Sequence, residues 1–193
     1  MLLPSGSGRP GTTGDFGSGM GPIKGEMGDD CPAEAKDIVA ELYRVSAPRA
    51  VQYVPPHKAG VDPGDGPTEQ LVSMPREQAA RYMALRRDMT ASCPQTTVTA
   101  VGHEPIAPQT VRFRLVKAEL GDEAFIQEST TWDGDGDVAK ARPTDGVRAY
   151  MAVVRLGGVV VIYGEFPTKE AALAAGTKAA AHTRTALLRT AAG

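Results

Sequence analysis

Apolar positions first recur at helical spacing just after Asp30, where Ala35, Ile38, Val39, Leu42 and Val45 fall three or four residues apart. Asp30 is placed to cap and Pro32 suits a first turn, so a short amphipathic helix is expected. Val51 to Val54 reads as a brief strand, and the Pro- and Gly-dense run from Pro55 to Pro67 as a loop. A second helix is expected from the start signal of Ser73 and Pro75. Ala79, Tyr82, Met83, Leu85 and Met89 form its apolar stripe, and Cys93-Pro94 stops it. Arg76, Arg81, Arg86 and Arg87 are expected to face mostly solvent, with Glu77 and Asp88 interrupting the basic face.

After Pro94 the period changes to two. Strands are expected over Thr96 to Val101, Thr110 to Glu119, Ala124 to Trp132, Val147 to Leu156 and Val159 to Phe166. Gly157-Gly158 is a two-residue hairpin signal. Val111-Arg112-Phe113-Arg114-Leu115-Val116 alternates cleanly, which puts one sheet face in water and covers the other. A last helix is expected from Thr168, with Glu170 in its first turn, to about Arg189. Its alanines at 171, 174, 175, 179 and 180 permit close approach to the sheet, while Leu173, Leu187 and Leu188 add bulk. The expected class is α+β: an antiparallel sheet of roughly five to six strands with helices packed on one face.

Composition changes this picture mainly at the N-terminus. Ser5 to Asp30 is dominated by Gly with few apolar residues, too little to offset the entropy of ordering. Residues 1–29 therefore read as a flexible tether and 30–190 as one domain, a division consistent with a 193-residue chain. The net charge of −2, with no clustered basic footprint, argues against nucleic acid as a partner. No apolar run approaches the length of a membrane span. The first residues lack a charged n-region and an apolar h-region, as in a cytosolic protein or in a mature form written without its signal peptide. Cys31 and Cys93 admit one disulfide or two reduced thiols.

The chain offers little for catalysis. Its histidines, His57, His103 and His182, are scattered, and neither a nucleophile elbow nor a zinc-ligand spacing occurs. Asp133-Gly134-Asp135-Gly136-Asp137 opens like a calcium loop, but Val138 stands where glycine is needed and Thr144 where a bidentate Glu closes the loop. A turn between strands selects the same Asp and Gly residues. The early glycines lack the strand and the Gly-Lys-Ser/Thr of a phosphate loop. Glu119, Asp122, Glu123 and Glu128 alternate between strand faces without grouping, a poor basis for paired-carboxylate chemistry. No catalytic residue, metal site or cofactor is expected. Trp132, the single tryptophan, lies at a strand end and either caps the core edge or lines a recognition site.

Three segments carry a family likeness: Leu71-Val72-Ser73-Met74-Pro75 leading into the helix that ends at Cys93-Pro94, Leu120-Gly121-Asp122-Glu123-Ala124, and Val153-Val154-Arg155-Leu156-Gly157-Gly158-Val159-Val160. Over about Leu71 to Leu188 the chain resembles actinobacterial PknH-type sensor domains, which also occur as stand-alone envelope lipoproteins, and among these a CseA-like modulator. The resemblance implies an extracytoplasmic α+β domain tied by disulfides, without enzymatic activity, meeting a small ligand or an envelope signalling protein. It implies a Cys31–Cys93 bridge, which would close a loop of about 60 residues and add about 4 kcal/mol. The chain departs from the pattern in having one possible disulfide and no lipobox, since Gly28-Asp29-Asp30 before Cys31 is charged. Membrane attachment is then expected only through a lipid anchor outside this chain. An envelope carrier of a small apolar molecule is the alternative expectation, because a helix-covered curved sheet can enclose a cavity.

Overall fold

The computed structural model of the chain describes residues 30–46, 50–53, 69–101, 104–134 and 146–191. In order these form α1 (Ala33–Ser46), β1 (Ala50–Tyr53), β2 (Glu69–Ser73), α2 (Arg76–Ser92), β3 (Gln95–Val101), β4 (Glu104–Ala118), β5 (Glu123–Asp133), β6 (Val147–Leu156), β7 (Val159–Phe166) and α3 (Lys169–Ala191). The expected α+β fold with an antiparallel sheet is present: the seven strands lie in the order β1-β2-β7-β6-β5-β4-β3, every neighbouring pair antiparallel. The added strand is β2, formed by residues that read as the approach to α2. Ser73 closes this strand and Pro75 takes the N-cap position of the helix.

β3 to β7 meander, so each strand pairs with the next in sequence. β6 and β7 are joined by Gly157-Gly158, with Leu156 opposite Val159, as the hairpin signal requires. β2 pairs with β7, and α2 must travel from there to β3 at the far edge of the sheet. That route lays α2 across one face. Ala79, Tyr82, Met83 and Met89 of α2, with Leu42 of α1, pack there on Phe125, Val153, Val160 and Ile162. Burial of each large side chain contributes about 1.5–3 kcal/mol.

Residues adjacent in a strand point to opposite faces, so Ile126 and Val154 face away from α2. Together with Ala152 and Leu156 they form a second core with Ala172 and Ala180 of α3. The helices thus cover both faces, α1 and α2 on one and α3 on the other, which corrects the expectation of helices on one face. The reason lies in connectivity: α2 already fills the first face, and the apolar positions of β5 and β6 are continuous enough to need cover on both sides. Gly176 lets α3 approach closely, since a Cβ there would stand 3.0 Å from Leu120 and 3.1 Å from the Ala152 side chain. Thr168 caps α3, its hydroxyl accepting the Ala171 N–H at 3.1 Å. Leu187 and Leu188, expected to add bulk to the interface, are exposed.

Cys31 and Cys93 are disulfide-bonded and buried against Ala35, tying the start of α1 to the end of α2. Asp30, expected as a cap, instead accepts the Thr96 hydroxyl at 2.5 Å and the Thr97 N–H at 2.9 Å, joining the same corner to β3. Glu41 on α1 bridges Arg44 and Arg81 of α2. The Arg44 hydrogen bonds, reinforced by the charges of Arg44 and Arg81, hold the Glu41 carboxyl below its usual range. Arg86, expected toward solvent, is buried beneath α2 because it lies one turn from Tyr82 and Met83 on the core stripe. No described helix is long and apolar enough to cross a membrane. The expected tether at 1–29 and the Pro55 to Pro67 loop lie outside the described residues.

Candidate functional site

α3 covers only part of its face of the sheet. Beyond Tyr150 the same face continues as cross-strand rows set by register. One row runs Gln95, Arg112, Thr130, Arg148 across β3, β4, β5 and β6. The next toward α3 is Arg114, Glu128, Tyr150, and the next away from it is Thr97, Thr110, Trp132. Arg112, Arg114, Glu128, Thr130, Trp132 and Arg148 enclose a concavity of about 190 Å³. Thr130 and Trp132 are buried in its base, while the three arginines are exposed at its rim.

Glu128 is the only carboxylate among the described lining residues and lies 3.9 Å from Arg148. Arg112 donates from Nε and Nη2 to the neutral amide oxygen of Gln95, at 3.4 and 3.2 Å, and its guanidinium carbon lies 5.5 Å from the centre of the Trp132 ring. Arg114 has no hydrogen bond or ion pair among the described residues. The buried Trp132 Nε1–H likewise has no acceptor among them. Gly146 sits against this base: a Cβ there would come within 2.6 Å of Thr130 and 2.8 Å of the indole, so a side chain would displace the ring.

A larger concavity of about 590 Å³ lies at the opposite end of the sheet, around the β4–β5 turn. Arg87, Asp122 and Glu123 of its lining are paired within the fold. Arg155 pairs with Glu123 at 3.1 Å and with Asp122 at 3.7 Å, and Arg87 of α2 pairs with Glu123. Asp122 also accepts the Gly157 N–H at 2.8 Å, locking the β4–β5 turn to the β6–β7 hairpin. The Gly121-Asp122-Glu123 motif is therefore a structural clamp, its Gly121 turning the chain at φ 62°.

Of the residues singled out in the sequence, Asp122 and Glu123 meet in that clamp, whereas Glu128 lies on the other face of the sheet. His182 is exposed on α3, and His57, His103 and Asp135 to Asp137 lie outside the described residues. No cluster of three or more metal-binding side chains occurs among the described residues. Trp132 is placed both at the core edge and in the lining of the open concavity. Arg112, Arg114 and Arg148 escaped sequence reasoning as site residues. The alternation through Val111 to Val116 marked Arg112 and Arg114 as a wet face, but nothing local signals that β6 brings Arg148 beside them. No family model matches the chain, and no curated protein and no solved structure matches it.

Proposed function

We propose that this chain is a non-catalytic binding module working outside the cytoplasm, a sensor or accessory signalling protein of the cell envelope. Its contact surface is the part of the sheet that α3 leaves open. The observation that carries this reading is the set of three exposed guanidiniums gathered around the buried Trp132. Exposed planar cations over an aromatic base are equipped to recognise, and the described lining residues include no nucleophile paired with a base. The Cys31–Cys93 bridge supports an oxidising compartment. Attachment through a lipid anchor preceding the Gly-rich segment, as in the PknH-type domains the motifs resemble, completes the proposal.

The test is the protein taken from its host, fractionated and alkylated before intact-mass measurement. The expected result is a processed chain in the envelope fraction that takes up alkylating reagent only after reduction. An unprocessed chain in the cytosol with both cysteines alkylated directly would overturn the reading.

A further inference from the structure

We infer that the free edge of β4 pairs with the same edge of a second copy of this chain, joining two sheets about a two-fold axis at Ala118. This goes beyond the binding-module reading and does not depend on it.

β3 accompanies β4 only as far as the pair of Gln95 with Arg112. Before Gln95 the chain turns away through Pro94 and Cys93 into the end of α2, whereas β4 runs on to Ala118. The Phe113 N–H donates to the Pro94 carbonyl at 2.8 Å, so Phe113 directs its backbone groups toward the β3 side. Backbone direction alternates along an antiparallel strand, and Leu115 and Lys117 therefore direct theirs the same way. No strand pairs with them on that side among the described residues. The result is a notch beside β4, and the concavity of about 590 Å³ opens there, with Leu115, Lys117, Glu119 and Leu120 in its lining.

Charge selects the occupant. Lys117 and Glu119 are exposed, and neither has an ion pair among the described residues. A lysine alone on an exposed edge repels a second copy, but with Glu119 two residues further on the edge becomes its own complement. Antiparallel pairing about Ala118 sets Lys117 of each copy opposite Glu119 of the other, two identical ion pairs, with Val116 opposite Leu120. Pairing about Lys117 would oppose two lysines. Pairing about Val116 would oppose Glu119 to Phe113, whose N–H already serves Pro94. The hairpin that enters the notch is held in shape beforehand, because Arg155 pairs with Glu123 and Asp122 and the Gly157 N–H donates to Asp122. Little freedom is then lost on docking. The overlap is short, from Val116 to Leu120, so the dimer is a weak one.

The full oxidised chain is followed by sedimentation equilibrium from about 10 µM to about 1 mM, a range suited to so small an interface. The expected result is a reversible equilibrium between monomer and dimer. Lys117→Glu and Glu119→Lys each place like charges opposite one another, and each is expected to weaken association about tenfold with the melting temperature unchanged. An equimolar mixture of K117E and E119K is expected to dimerise about as well as the parent, as is the double substitution K117E/E119K. Should one single variant fail to fold, the other is read together with the double one. A chain that stays monomeric over the whole range overturns the inference and leaves the edge to an extended segment of another protein. Association that neither single substitution weakens, or that charge exchange fails to restore, overturns it as well.

Discussion

Arg86 is the most costly side chain in the described core. The residue is 2% exposed, and its guanidinium donates to the Tyr82 hydroxyl at 3.0 Å and to Met151 Sδ at 3.5 Å, with Nε lacking any acceptor among the described residues. No described carboxylate pairs with it. Desolvating an arginine in this way costs several kcal/mol, and contacts with a hydroxyl, a thioether and the Tyr82 ring 5.8 Å away return only part of that. Arg86→Met, which keeps the length and drops the charge, is therefore expected to be at least as stable as the parent in urea denaturation. Arg86→Ala is expected to lose about 2–4 kcal/mol through the cavity it leaves. A loss of that size in R86M would show that the charge is compensated in the native state. Residue type alone sends an arginine to the surface, but the period through Ala79, Tyr82, Met83 and Met89 carries position 86 to the buried face.

At the scale of elements, α1 is the piece held most by cross-links. It meets the rest of the fold through α2, the Cys31–Cys93 bridge, the Asp30 contacts with β3 and the Glu41–Arg81 ion pair. The bridge spans a sequence separation of 62 residues, a loop whose closure adds about 4 kcal/mol. Replacing both cysteines by serine is expected to lower unfolding free energy by about that amount. Hydrogen exchange is expected to show α1 losing protection before β4, β5 and β6, and equal loss in all of them would contradict a local role. Most element boundaries were legible in the sequence. The strand patterns after Pro94 and the last helix match the observed elements to within a few residues, apart from the earlier start of β4 at Glu104. β2 was missed because its five residues run directly into the start signal of α2, and a strand that short owes its existence to pairing with β7.

For the whole molecule the arrangement is three layers, with α3 docked through small residues on the face opposite α2. Gly176→Leu is expected to lift α3 from Leu120 and Ala152 and to cost about 1–3 kcal/mol by overpacking. Thermal melts would check this, with far-UV circular dichroism retained; an unchanged melt would mean that α3 is not closely seated. The sequence by itself determined what short windows encode: helices at a 3.6 period, strands at a period of two, the Gly157-Gly158 hairpin, and the wet alternation that includes Arg112 and Arg114. Only the tertiary structure decided which face each helix covers, that Arg86 is enclosed, and that Arg148 from β6 joins Arg112, Arg114 and Trp132 around Thr130. Those outcomes depend on strand order and register between segments far apart in the chain, and on how far along the sheet α3 reaches, quantities that no local pattern of residues contains.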